Sequence, residues 1–251
     1  MKQKDRSEII ESLRDDKNYY GEVGQQFLSN SNIKKLLEDP MSFGKPVEKT
    51  VAMMAGSYFH LKMLEPEKVQ EFKDRMIVNA STRSTKLYKE ALIALDTDIL
   101  MLEKEADDID VLCKKMKSNL DFHSEIYEVG NVYEEPGLVE LHGNMWKCKA
   151  DILSSVSVPD IKTTGDISKF VRSAYMYNYD SAAYIYQKAF GVPMVFLVGC
   201  KKTHQLARFT CSSEFIASGE SKVLKATMVY DKYFGENPTH DIQEYYIQRE
   251  L

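Results

Sequence analysis

Two rhythms of apolar residues divide the chain. Up to about Leu120 they recur at helical spacing. Ser29 or Ser31 can cap a helix through Leu37 that Pro40 stops. Thr50 can start another, carrying Val51, Met54, Tyr58 and Leu61 and ending before Pro66. Thr97 can cap a long helix with Ile99, Leu102, Ala106, Ile109 and Cys113 in step. Beyond Asp121 the runs shorten. Residues 125–133 read as extended, 134–137 (Glu-Glu-Pro-Gly) as a turn, and a second extended run starts at Leu138. Strands are expected at 150–153, 156–161, 195–198 and 206–210. Residues 166–190 read as one or two helices, and Ser212 can cap a last helix towards Phe234. This order predicts an α/β, mixed α+β domain over residues 1–251: a helical lead-in over 1–120 and a sheet core over 121–251.

Composition narrows the picture only slightly. The 251 residues are enough for a real core. A hydrophobic fraction of 43% and a charged fraction of 28% are ordinary for a globular protein. The net charge of -5 argues against a protein that coats nucleic acid nonspecifically. A nuclease is compatible with it, since carboxylates lower the net charge while a local basic strip binds phosphate. Cys113, Cys148, Cys200 and Cys211 form no CxxC pair, which speaks against zinc and for free thiols in a reducing cytosol. The first residues are charged, so no secretory signal is expected, and no apolar run approaches a membrane span. A cytoplasmic protein is the expectation.

The chemistry concentrates between Lys147 and Lys162. Asp151 and Asp160 lie in or beside β-prone runs, and Lys162 is two residues after Asp160. On a strand, side chains at i and i+2 share a face. An acid and an ammonium then point into one space, with a second acid delivered from the neighbouring strand. Two acids can hold a hard divalent cation through oxygen, and a lysine can stabilise negative charge as it develops on phosphate. This is the layout of a metal-dependent phosphodiesterase of the PD-(D/E)xK kind. The spacing alone is weak: Asp15-x-Lys17, Glu71-x-Lys73 and Glu220-x-Lys222 share it in polar segments that read as solvated. A structural ion pair between Asp160 and Lys162 is the plain alternative, but two acids against one lysine leave negative charge for a cation.

Five blocks in order resemble phage exonuclease VIII or RecE-type nucleases, relatives of the RecB nuclease domain and of lambda exonuclease. They are FLSNSNIKKLLEDPMSF, AGSYFHLKMLEPE, KCKADIL, PDIKTT, and YNYDSAAYIYQKAFG followed by VFLV, spanning about residues 27–200. The resemblance implies a PD-(D/E)xK core, a central mixed sheet flanked by helices. It implies metal ligation by His60, Asp151 and Asp160, with Lys162 catalytic and Glu125 near a second metal position. The family's Q-x-x-x-Y helix falls on Asp180 and Tyr184, so the glutamine is absent, although Tyr184 can still reach DNA. Without the resemblance His60 reads as a satisfied core or surface group, and Glu125 is balanced between ligand and plain strand residue. The tyrosines at 175, 177, 179, 184 and 186 read mainly as packing on the sheet. Lys34, Lys35, Lys169, Arg172, Lys201 and Lys202 are candidate phosphate contacts, each of which alone reads as a solvated charge.

What the resemblance implies for activity is Mg²⁺-dependent (Mn²⁺ substituting) 5′-to-3′ digestion of linear duplex DNA from its ends. It further implies a ring-shaped homo-oligomer, a single-strand-annealing recombinase as partner, and a phage or prophage gene expressed in a bacterial cytoplasm. A structure- or site-specific endonuclease on the same core fits the same residues. A catalytically silent DNA-binding accessory protein fits them less well, because Asp151, Asp160 and Lys162 are all present.

Overall fold

The computed structural model describes residues 3–247, with side chains from residue 6 onward. The lead-in is helical: α1 (Gln3–Ser12), α2 (Asp16–Tyr20), α3 (Glu22–Gln25), α4 (Asn30–Glu38), α5 (Val51–Leu64) and α6 (Val69–Met76). A short parallel pair, β1 (Ile77–Val78) with β2 (Met101–Leu102), brackets α7 (Lys86–Ala94). Then come α8 (Glu103–Ser118) and α9 (Leu120–Tyr127). The core strands are β3 (Val132–Leu141), β4 (Asn144–Leu153) and β5 (Val158–Thr164). They are followed by α10 (Phe170–Met176), α11 (Tyr179–Phe190), β6 (Met194–Cys200), β7 (Leu206–Thr210) and α12 (Ser213–Tyr233).

Caps start the helices where the sequence suggests. Thr50 accepts the Met53 N–H at the start of α5, and Ser212 accepts the Phe215 N–H at the start of α12. Ser29 caps α4, with Asn32 reaching back to the Ser29 N–H at 2.8 Å. Three local expectations fail. Thr97 caps nothing long: α8 begins only at Glu103, where the Glu105 carboxylate takes the Leu102 N–H at 2.9 Å. The stretch expected to be extended from 125 to 133 starts inside α9, which Asn119 caps by accepting the Phe122 N–H and which runs to Tyr127; it then turns and becomes strand only from Val132. The Glu-Glu-Pro-Gly segment is no turn but the middle of β3. The turn is His142-Gly143, with φ of +51° and +85°. Two positive φ values make the tight two-residue connection that matches strand twist, and Leu141 pairs with Asn144 across it.

The sheet is mixed and interrupted. β5 and β6 are parallel and β6 and β7 antiparallel, while β3 and β4 form a long hairpin. No backbone ladder joins β4 to β5, although the two strands pack together. Period-two alternation along β6 supplies both faces. Val195 and Leu197 join Tyr58, Phe59, Ile109, Leu112 and Met116 of α5 and α8 in one core. Met194, Phe196 and Val198 join Phe170, Ala183 and Phe215 of α10, α11 and α12 in the other. A third cluster, around the fully buried Trp146, ties α4, α11 and α12 to the hairpin. Each fully buried large side chain contributes roughly 1.5–3 kcal/mol. The result is helices on both faces of a central mixed sheet, with α5 laid across the edge where β4 and β5 part. Among the described residues no helix is long and apolar enough to cross a membrane.

Candidate metal and catalytic centre

The gap between β4 and β5 is where the acids lie. Alternation along β4 puts Lys147, Lys149 and Asp151 on one face, and alternation along β5 pairs Asp160 with Lys162. The Ile161 N–H has no strand partner across the gap; it donates to Asp151 Oδ2 at 3.2 Å. The turn between the strands is short, closed by the Ser154 N–H donating to the Ser157 carbonyl at 3.0 Å. The ammonium of Lys162 makes a close ion pair with Asp160 Oδ2 and stands 4.0 Å from Asp151 Oδ2. Helix α5 brings His60 Nδ1 to 3.6 Å from that same Asp151 oxygen.

A third acid completes the cluster. The hairpin register pairs Tyr133 with Ile152 and Glu135 with Ala150, so Glu134 stands opposite Asp151 but outside the ladder. Its φ is +50°, a left-handed conformation that a glutamate in a strand adopts only when its surroundings impose it. One ligand atom each from His60, Glu134 and Asp151 lies within 4.8 Å of the others.

Burial dominates the electrostatics. It pushes Glu134 up to about 8, with Asp151 and Glu65 adding to the effect. Burial also raises Asp160 to about 6, against the pull of Lys162, and raises Asp151. His60 is lowered to about 4 by burial and by the neighbouring Lys162 charge, which keeps its imidazole neutral and free to ligate. For Lys162, burial alone would lower the value; Asp160 and Asp151 outweigh it and hold the ammonium charged.

These residues fit a divalent cation. Asp151 and Asp160 share the Lys162 ammonium, and the half-buried Glu134 beside Asp151 has Lys149, itself paired with Asp16, to offset it, so negative charge is in surplus in a desolvated space. Asp160 Oδ2 is buried and, despite the ion pair, receives no hydrogen bond in good geometry. Oxygen donors with one neutral imidazole suit Mg²⁺ or Mn²⁺.

Above the cluster opens a cleft of about 850 Å³. His60 and Gly56 of α5, Ile161 and Lys162 of β5, Tyr177 and Tyr179 line it. Lys169, Lys201 and Lys202 line it too, so these expected phosphate contacts share the cleft with Lys162. The other expected site residues lie elsewhere. Glu125 is on α9 and holds Arg208, with oxygens 2.7 and 2.9 Å from its guanidinium nitrogens; it is replaced at the metal cluster by Glu134. Asp180 is fully buried and bound by Lys222, Ser218 and Ser181, so it cannot touch DNA. Tyr184 is buried, its hydroxyl donating to Glu220 at 3.1 Å. The side of α11 towards the acids carries Tyr179 and Tyr186 instead; the Tyr186 hydroxyl donates to the Lys149 carbonyl at 2.8 Å. Arg172 lies on the exposed face of α10, outside the cleft lining. Glu134 was legible in one way: counting back from a His142-Gly143 turn places it opposite Asp151.

A mixed sheet between helices, with Asp151, Asp160 and Lys162 at a parted pair of strands, defines the PD-(D/E)xK class. The chain belongs to the family described as a PDDEXK-like domain of unknown function (DUF3799), whose sequence model matches residues 29–229. Its fold is similar to the crystal structure of a candidate exonuclease from Eubacterium rectale. That similarity has a TM-score of 0.63 and 16% identity over 94% of this chain and 95% of the other. A second solved structure, SSO0001, aligns over 77% of this chain and 84% of its own at 14% identity; its TM-score of 0.29 carries no argument. No curated protein matches the sequence.

Proposed function

We propose that the protein is a Mg²⁺-dependent deoxyribonuclease that degrades linear double-stranded DNA. The observation that carries this reading is the cluster itself: Lys162 set between Asp151 and Asp160, with His60 and Glu134 closing the far side of Asp151. His60, Glu134, Asp151 and Asp160 are the residues that would hold the cation. A bound divalent ion supplies Lewis acidity and charge neutralisation towards a phosphodiester. Lys162 places a fixed positive charge where negative charge grows as the phosphate is attacked. Asp160 and Asp151 keep that ammonium charged and aimed, and the Ile161 N–H keeps Asp151 aimed. Lys169, Lys201 and Lys202 supply a basic lining for the DNA backbone.

Digestion from the ends in the 5′-to-3′ direction, delivery of 3′ single strands to an annealing recombinase, and a ring-shaped oligomer rest on the resemblance to RecE-type nucleases. The test is incubation with linear and covalently closed DNA, in Mg²⁺ and in chelator. In Mg²⁺ linear DNA shortens progressively while closed circles survive, and in chelator the linear DNA stays intact. Cutting of closed circles overturns end-dependent digestion; no cleavage of any DNA overturns the nuclease reading.

A further inference from the structure

A line of aromatic rings runs from the centre to the rim of the cleft. The Lys162 ammonium is 5.6 Å from the Tyr179 ring centroid. Tyr179 stacks on Phe196 at 5.6 Å and 27° and meets Tyr177 at 6.1 Å and 43°. Tyr177 lines the cleft yet is 61% exposed, with no further ring packed on it. Exposure here does not mean a loose backbone. Tyr177 ends α10, and Asn178 after it is left-handed at φ +59°. Lys222 clamps both sides of the turn, donating to the Tyr175 carbonyl at 2.7 Å and to Asn178 Oδ1 and Asp180 Oδ1 at 2.9 Å each. Gly219 lets α12 close on this point: a Cβ there would meet the Asp180 carbonyl oxygen at 2.0 Å. A large ring is thus held at the mouth by buried machinery that serves no acid of the metal cluster.

The same cleft is lined by Lys169, Lys201 and Lys202. Interleaved ammoniums and aromatic faces fit a single nucleic-acid strand, whose phosphates take the charge and whose unpaired bases take the rings. A base pair inside a duplex has both faces covered by its neighbours and offers none to a tyrosine. The volume is of the order of small-molecule pockets, roughly 300–1,000 Å³, and suits a short unpaired stretch.

We propose that Tyr177, backed by Tyr179, is a stacking platform for an unpaired nucleobase, so that the strand being cut enters the cleft as single-stranded DNA. This rests on the nuclease reading and adds the conformation of its substrate.

The experiment uses the full chain in Ca²⁺. It measures anisotropy of a labelled single-stranded oligonucleotide, of the same strand with abasic sites, and of a blunt duplex. Tyr177→Ala binds the intact single strand about 5- to 150-fold more weakly, the worth of one stacked base. Tyr177→Phe, which keeps the ring, binds like the parent. On the abasic strand parent and Tyr177→Ala bind alike. The proposal is overturned if Tyr177→Ala keeps parental affinity, if Tyr177→Phe loses as much as Tyr177→Ala, or if the loss persists on the abasic strand. Cleavage of linear DNA in Mg²⁺ is measured in parallel. A parent that cleaves, with Tyr177→Ala unaffected in binding, removes the platform and leaves the nuclease; a parent that neither binds nor cleaves removes both.

Discussion

Two buried aspartate–lysine pairs in this molecule look alike in a contact list and differ in kind. Asp180 is fully buried, yet every oxygen is served: Lys222 and the Ser181 N–H reach Oδ1 at 2.9 and 3.0 Å, and Ser218 reaches Oδ2 at 2.7 Å. Asp160 is almost as buried, but one oxygen has no hydrogen bond, a second acid, Asp151, crowds it, and burial lifts it to about 6. A satisfied pair is scaffolding, since breaking it leaves a desolvated charge. An unsatisfied, over-charged cluster is a cost that persists where a ligand or a reaction uses it. The number of unmet lone pairs separates the two, and burial does not.

The sharpest way to break the contrast is to remove the acids. Asp160→Ala or Asp151→Ala abolishes cleavage of linear DNA, because nothing nearby replaces those oxygens, while the metal-free protein stays folded. Near-parental nuclease activity in either variant places the chemistry elsewhere. Lys162→Ala is the next largest effect: single-turnover cleavage in Mg²⁺ falls about 10²–10³-fold, while affinity for linear DNA in Ca²⁺ stays near the parent. A matching loss of affinity makes Lys162 a phosphate anchor instead.

Asp180→Ala shows the opposite signature. Denaturant unfolding loses about 3 kcal/mol, the low end for breaking a buried pair, because the Lys222 side chain keeps 23% exposure. Its metal affinity, read by calorimetry, is unchanged.

Cations and pH sharpen the comparison further. Mn²⁺ at 100 times its dissociation constant stabilises the parent by about 2.7 kcal/mol and does not stabilise Asp160→Ala. Glu134→Gln weakens Mn²⁺ binding and Glu125→Gln does not. Glu134 is raised from 4.5 to about 8, so its protonated form stabilises the metal-free fold at acid pH. That contribution is lost as pH rises towards 8. The cation needs the deprotonated form, so apparent Mn²⁺ affinity rises over the same interval. A flat affinity between pH 5 and about 8 removes Glu134 from the site. The smallest effect belongs to the rim. Lys201→Ala or Lys202→Ala lowers the log–log salt slope of duplex binding by roughly 0.9 per lost phosphate contact, with cleavage at saturating DNA unchanged.

Local chemistry was legible along the chain wherever one residue type does one job. Caps at Ser29, Thr50 and Ser212 are intrinsic to side chains that accept a nearby N–H, and the strand-like runs of β4, β5 and β6 follow from apolar residues that must be buried. Asp151, Asp160 and Lys162 were legible because a charge in a strand-like apolar run needs a reason. The matches to Asp180 and Tyr184 misled because a letter pattern on a helix does not say which face turns to the site. Here the turn of α11 gives that face to Tyr179 and Tyr186.

By itself, then, the sequence determined most of the element types, the acid–lysine spacing and the mixed α/β class, wherever residues a few positions apart carry the signal. Only the tertiary structure decided that Glu134 and not Glu125 stands beside His60 and Asp151, and that Asp180 is scaffolding. It alone showed that Tyr177 and the lysines of the β6–β7 turn share one cleft with His60. Those outcomes depend on where β4 parts from β5, on a left-handed glutamate and on the docking of α5 and α12. They are long-range packing terms, and no window of sequence contains both partners.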